Sequence, residues 1–465
     1  MSTGKIILSA IAASLLIVQS VNAVEPFENI AHDMLKDSIA MRTVSGPGNE
    51  TPEFAAYLAD KFKKAGFPDQ DIMIIPYEDT AAMIVRYRGD NSSDKKPFVL
   101  SSHLDVVEAL PEDWEKNPFE LIEQNGMLYG RGVLDTKLNV VTLTATFLRL
   151  KSEGFIPSRD IILVFSGDEE TAMASTRLVT QKYRDQIDAE FAIIADGGGG
   201  NLDENGKAFS YSIDSAEKTY ADYEVTARNP GGHSSLPRKD NAIYDLARAI
   251  VKLSEFEFPV MQSPLTKAYF EKTAKLESNP EISKAMAAFA KNKNDMDAVK
   301  VLRSYPQYAG MTGTTCVATL LKGGHAQNAL PQSAMMSINC RIFPGVGSDA
   351  TMAQLKKVLD NDNLEWHLAA PVDESDESPL NEEVFSAVER VVHDEFPGIP
   401  IIPTMAMGAS DGMYFRIAGI PSYALTADFI KPSDVFAHGL NERNPSANLG
   451  RAMRLWYKLI NEWAG

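Results

Sequence analysis
The chain has 465 residues, 44% of them hydrophobic, a formal net charge of −18 and two cysteines. That length and apolar content support a large core and two or three domains, and no fixed-period repeat or long low-complexity tract interrupts them. So acidic a chain lacks the basic face that a nucleic-acid backbone demands, which excludes nucleic acid as an expected partner.

Residues 1–23 read apart from the fold. Lys5 precedes an apolar run from Ile6 to Val18, and the run closes on "SVNA", with Val21 and Ala23 at the −3 and −1 positions of a cleavage site. This is the pattern of a secretory signal peptide. The mature chain is expected to start at Val24, to be secreted into a periplasm, and to have no membrane attachment once the leader is removed.

From there helix and strand signals alternate. "EFAAYLADKFKKAGF" has the spacing of an amphipathic helix ended by Gly66. "AAMIVRYRG", "KPFVLSSHLD", "RDIILVFSG" and "AEFAIIADGG" are short apolar runs that stop at small or acidic residues, and Lys137 to Lys151 reads as a mostly buried helix. Such runs separated by helices predict an α/β fold with a mostly parallel sheet covered on both faces. Ligands gather beyond the carboxyl ends of strands in sheets of this kind.

The pattern changes after Ser215. "KTYADYEVTARN", a helix in "NAIYDLARAIVKLSEF", two strands around Cys316 and Cys340, a helix in "DATMAQLKKVLD" and the strand "LEWHLAA" give the order βαββαβ. This predicts an inserted α+β unit over 217–371 within a larger domain formed by 24–216 and 372–465. The segment 260–310 is polar and helix-like and has no evident place. The two cysteine strands, paired as an antiparallel hairpin, set Cys316 opposite Cys340. A disulfide and a pair of buried thiols both satisfy that arrangement.

Three strand ends carry the same chemistry. His103 and Asp105 close "VLSSHLD", Glu169 and Glu170 follow "VFSGD", and Asp196 precedes four glycines. Asp135 lies in "YGRGVLDTK", and His438 in "FAHGLNE" near the C-terminus. Asp168, Glu169 and Glu170 are consecutive acids at the end of an apolar strand, an arrangement that raises their pKa values unless cations lie among them. Oxygen and imidazole donors without sulfur suit Zn²⁺, with Co²⁺ or Mn²⁺ acceptable to the same set. Five donors exceed what one open catalytic zinc needs, and fit two ions that share a carboxylate.

In combination and order, S-H-x-D, G-R-G-x-x-D-x-K, the E-E pair, D-G-G, G-G-H-S-S-x-P and the late H-G resemble the M20 metallopeptidase family (the carboxypeptidase G2, succinyl-diaminopimelate desuccinylase and aminoacylase-1 type), nearest its carboxypeptidase S branch. The resemblance implies a zinc-exopeptidase catalytic domain with an inserted lid that also dimerises. It implies two Zn²⁺, with Asp135 bridging them, His103 and Asp196 on one ion, and Glu170 and His438 on the other. Glu169 would be the general base, and Asp105 would orient a ligand histidine. His233, in "NPGGHSSLP", matches the histidine that stabilises the oxyanion, which in dimeric members comes from the partner chain. Arg341, Asn328, Gly408 and Ser410 match positions that hold the substrate's free carboxylate. Two departures stand out: Leu138 replaces a glycine after Lys137, and Ala409 stands where a hydroxyl residue is frequent.

The implied activity is hydrolysis of an amide or peptide bond next to a free α-carboxylate, as in a C-terminal residue, a dipeptide or an N-acyl amino acid. The alternatives are a di-zinc aminopeptidase that reads a free amine, and an inactive peptide-binding homologue.

Overall fold
A computed structural model describes residues 25–406 and 408–465. The expected signal peptide and its cleavage site lie outside the described residues. Among those described, no helix is long and apolar enough to cross a membrane.

The larger sheet has ten strands. Its centre is parallel: Ile161–Ser166 pairs with Phe98–His103, which pairs with Ala192–Ile194, which pairs with Ser422–Ala424. Every residue of the first two of these strands is buried, as continuous apolar runs require when helices cover both faces. One face carries the helices Glu28–Ala40, Thr51–Lys64, Lys137–Ser152 and Ala447–Ala464 around a single large core. A smaller cluster fills the other face, with Ile162, Val164, Ile194 and Phe415 at its centre.

The flanks depart from the parallel expectation. Ile72–Tyr77 and Thr80–Tyr87 form an antiparallel hairpin on one side. On the other, Gly199–Leu202 turns back through a short polar loop to pair antiparallel with Ala208–Glu217. That turn, "DENGK", is closed by Asp203, whose carboxylate accepts the backbone N–H groups of Asn205 and Lys207 at 2.9 Å each.

Ala208–Glu217 runs almost directly into Thr219–Arg228, the first strand of a separate four-stranded sheet. This sheet has the βαββαβ order read from the sequence, with the helices Ala242–Glu255 and Ser348–Leu359. Cys316 faces Cys340 across the antiparallel pair, and of the two readings the structure has the disulfide. The segment that lacked a place forms the helices Pro264–Thr273, Pro280–Lys291, Met296–Arg303 and Pro306–Ala309. Their apolar faces share a cluster with Ala216 and Met405 of the large sheet and with Phe343 beyond the small one, so they brace the junction between the two.

Candidate metal centre
The chemistry-bearing residues meet at the carboxyl end of the parallel strands, as the sheet topology predicts. His103 is the last residue of its strand, while Glu169 and Glu170 follow the strand beside it. Asp135 precedes the helix Lys137–Ser152. His438 lies in the loop before the short strand Arg443–Pro445, which pairs with Met127–Tyr129 and so joins two segments far apart in the chain.

Three donor groups result, each with ligand atoms within 4.8 Å of one another: His103, Asp135 and Asp196; His103, Glu169 and Glu170; Asp135, Glu170 and His438. Asp135 faces both histidines. Its Oδ1 lies 3.0 Å from His103 Nε2 and its Oδ2 3.1 Å from His438 Nε2. Asp196 lies 3.9 Å from His103, and Glu170 2.9 Å from His438.

The side chain of Asp168, the first of the three consecutive acids, is engaged elsewhere. It accepts the backbone N–H groups of Ala174 and Ser175 at 2.8 and 2.9 Å, which closes the loop into the next helix. Only Glu169 and Glu170 are left for the site.

The surroundings fix each donor. His103 Nδ1 lies 2.9 Å from the carbonyl oxygen of Asp105. A carbonyl can only accept, so Nδ1 carries a proton and Nε2 is left facing Asp135: it donates to that carboxylate in the metal-free protein and would offer its lone pair to a bound cation. Asp105 thus holds the ring through its main chain, with its carboxylate Oδ1 also 3.5 Å from Nδ1, and that carboxylate accepts the N–H groups of Glu169 and Glu170 at 3.1 and 3.0 Å. Lys137 is fully buried and donates to the carbonyls of Ser38 and Met41 at 2.7 and 2.8 Å, tying the helix behind Asp135 to the first helix. Burial pushes its pKa down to about 7.

The cluster is electrostatically tense in the metal-free protein. Burial, and then Asp135, Asp411 and Glu170, push Asp196 up to about 8 against the pull of His103. Burial also raises Glu169 well above the usual carboxylate range, with Asp196, Asp411 and Glu170 adding to it and His103 opposing. Hydrogen bonds to Asp135 and Glu170 push His438 up to about 10. Burial opposes ionisation of Asp135, but the bonds from His103 and His438 outweigh it and lower its pKa. Hard oxygens and two imidazoles, with no sulfur, fit divalent cations such as Zn²⁺. Cations of that charge would stabilise every carboxylate here in its ionised form.

These shifts set a pH dependence. Between pH 5 and 7 Asp196 is ionised in the unfolded chain but protonated in the metal-free fold. The fold therefore holds the extra proton, and stability falls as pH rises, by up to about 1.4 kcal/mol per pH unit for each such group. Asp411, pushed up to about 6 chiefly by burial, acts in the same direction at the lower end of this window. The melting temperature of chelator-treated protein is expected to drop from pH 5 to 7 while that of zinc-loaded protein holds. A flat or rising metal-free curve would contradict the cluster's electrostatics.

Of the remaining sequence-predicted residues, His233, Asn328 and Arg341 belong to the inserted unit, and Gly408 and Ser410 follow the strand Ile401–Ala406 of the large sheet. His233 is exposed on a two-stranded ribbon, paired with Ala329, and is not among the clustered donors. The neighbouring Ser234 N–H donates to the Asn328 carbonyl at 3.0 Å, so His233 and Asn328 share the ribbon. Ser235 N–H lies 3.2 Å from His233 Nδ1, which makes Nδ1 the acceptor and leaves the proton of the neutral ring on Nε2. Arg341 stacks its guanidinium 4.8 Å from the Tyr220 ring. Gly408 is exposed. Ser410 is buried and its hydroxyl donates to Glu217 at 2.7 Å, so that group is already engaged within the fold.

Three acids behind the site escaped the sequence reading, Glu442 and Asp411 buried and Asp214 half-buried. Glu442 accepts backbone N–H groups of the Asp135 loop. Asp214 accepts Gly198 N–H at 2.9 Å behind Asp196. Asp411 accepts the hydroxyls of Ser166 and Thr176 on either side of the Glu169–Glu170 turn.

The family model of peptidase family M20/M25/M40 matches residues 99–462. Among curated proteins, human N-fatty-acyl-amino acid synthase/hydrolase PM20D1 is 27% identical over 365 residues, covering 75% of this chain and 70% of its own. A probable carboxypeptidase S-like 2 of Dictyostelium discoideum is 26% identical over 390 residues, covering 82% and 74%. Among solved structures, an M20 family metallo-carboxypeptidase of Sulfolobus solfataricus superposes with a TM-score of 0.67 at 20% identity, over 93% of this chain and 99% of that one. Human carnosine dipeptidase 1 gives 0.61 at 15% identity, over 94% and 96%. The match over most of the chain, on a sheet whose strand ends gather the expected donors, makes this protein a member of peptidase family M20, an enzyme family of metallopeptidases and amidohydrolases.

Proposed function
We propose that the protein is a secreted, periplasmic di-zinc hydrolase that cleaves an amide bond next to a free α-carboxylate. The observation that carries this is the pair of donor groups sharing Asp135, with the buried Glu169 beside them. His103 and Asp196 would hold one ion, Glu170 and His438 the other. Two divalent ions held there would supply Lewis-acid polarisation of the scissile carbonyl and a water acidic enough to attack near neutral pH.

Glu169 takes the proton from the attacking water and delivers it to the leaving nitrogen. Its high pKa in the metal-free protein reflects burial among acids, and neighbouring cations would bring it into the range where it can accept and release a proton. His233 offers an Nε2–H donor of the kind that stabilises a developing oxyanion.

The exposure of His233 supports a homodimer in which each ribbon serves the partner's site. The edge strand Thr315–Gly323 exposes Val317, Leu320 and Leu321 at 58, 59 and 66%, and the adjacent helix exposes Tyr244 and Val251 at 53 and 54%. An unpaired edge with such an apolar surface is a surface that a second copy would cover. In this reading the unit 217–371 is the lid and dimerisation domain, and Arg341 and Asn328 take the substrate's carboxylate.

Exposed Leu110, Val435 and Leu440, at 48, 63 and 54%, stand on the loops that follow His103 and surround His438. Those loops are joined by the Glu115 N–H to the Asn441 side chain at 3.0 Å. An apolar rim at the site favours an N-acyl amino acid with an aliphatic acyl group, consistent with the name of the human relative.

A comparison of three substrates tests the reading: an N-acyl amino acid, its C-terminal amide, and a dipeptide amide with a free amine. Hydrolysis of the acid with little of either amide is expected. Preference for the free-amine amide would make the protein an aminopeptidase, and no turnover by zinc-loaded protein would leave a binding protein.

A further inference from the structure
We propose that Glu442 is the positioning residue that locks Asp135 against His438 and so sets how tightly the centre holds its pair of ions. This rests on the reading of the five donors as metal ligands.

Glu442 is fully buried, and its carboxylate is the hub of the loop that presents Asp135. Oε1 accepts the N–H groups of Leu134 and Asp135 at 2.8 and 3.1 Å. Gly132 N–H reaches both oxygens, at 3.2 and 3.1 Å, and Arg131 Nη1 donates to Oε2 at 2.6 Å. The Arg131 guanidinium, itself 2% exposed, balances the charge. The loop needs glycine at 132: its φ is +92°, and a Cβ there would lie 3.0 Å from Lys137 and Val106 side-chain atoms.

The same two segments are stitched by three further bonds. Gly130 N–H donates to the Glu442 carbonyl at 3.3 Å, Arg131 Nη2 to the Gly439 carbonyl at 3.3 Å, and Asn444 Nδ2 to the Val133 carbonyl at 3.0 Å. Asp135 and His438 are therefore held by one unit assembled from opposite ends of the chain, with Glu442 at its centre. Moving the carboxylate moves the Asp135 main chain, and the side chain shared by both ions moves with it.

Groups that orient metal ligands typically alter affinity by about 10–100-fold when replaced. Chelator-stripped mature protein is titrated with Zn²⁺ against a chromophoric competitor, which reads both affinities. Glu442→Gln, which replaces one of the two accepting oxygens with a donor and removes the charge, is expected to weaken the less tightly held ion by about 10–100-fold. Glu442→Asp, which keeps the charge but draws it back, is expected to shift it in the same direction.

Arg159→Met is the control. Arg159 is 1% exposed and pairs with Glu190 and Glu383 at 2.8 and 2.6 Å, just before the strand whose far end carries Glu169. It should lower the melting temperature without moving either affinity. Wild-type affinities in both Glu442 variants, equal weakening in Arg159→Met, or failure of both Glu442 variants to fold would each overturn the proposal. If only Glu442→Gln fails to fold, Glu442→Asp decides. Wild-type protein that takes up no divalent ion would instead sink the ligand reading itself.

Discussion
Alanine at Glu169 is expected to leave close to two ions per chain while slowing hydrolysis by about 10²–10⁴-fold, the span typical of a lost general base. Glu169 contributes little to the two donor groups that share Asp135, so its removal should spare metal content. The Asp105 carboxylate holds the main-chain N–H groups of Glu169 and Glu170, and a side-chain truncation leaves both of those bonds in place. Glu170 therefore keeps its position against His438. The measurement is zinc content by elemental analysis together with kcat on an N-acyl amino acid. A wild-type rate would remove the base assignment, and a loss of zinc in parallel with rate would make Glu169 a ligand.

Alanine at Asp135 should do more damage. This carboxylate faces both histidines, one with each oxygen, so its loss opens both ion positions at once. Retained zinc is expected to fall from two ions to one or none, and turnover to fall further than in the Glu169 variant. The variant should still fold, because the loop's main chain is held by Glu442 and not by the Asp135 side chain. Its metal-free form should also lose part of the tension at His438, whose raised pKa depends first on Asp135. Two tightly held ions in this variant would show that Asp135 bridges nothing.

The central strands and the donor residues were legible because each leaves a linear signature. Ile161–Ser166 is buried on both faces, so it appears as an unbroken apolar run, and the acids after it stand out against that run. The order of the small sheet was legible from alternation, and the opposition of Cys316 and Cys340 from symmetry about the intervening loop.

What escaped has no periodic signal. Glu442 and Asp411 sit in polar loops and are buried only by segments remote in the chain, and Asp214 is a half-buried acid inside the strand Ala208–Glu217. The antiparallel turn at Asp203 is a short local feature with no apolar periodicity of its own. The segment 260–310 read as polar and helix-like but had no evident place, because its helices bury a single face each, against the junction of the sheets. Ser410 matched a substrate position by motif, but motif matching does not show that Glu217, nearly two hundred residues earlier, holds its hydroxyl.

In the proposed reading, five side chains far apart in the chain enclose two divalent cations. Anomalous diffraction at the zinc edge, on crystals grown with excess Zn²⁺, tests it most directly. Two peaks are expected on either side of Asp135, one bounded by His103 and Asp196 and the other by Glu170 and His438. A map with no peak among these residues, or with zinc bound only elsewhere, would contradict it.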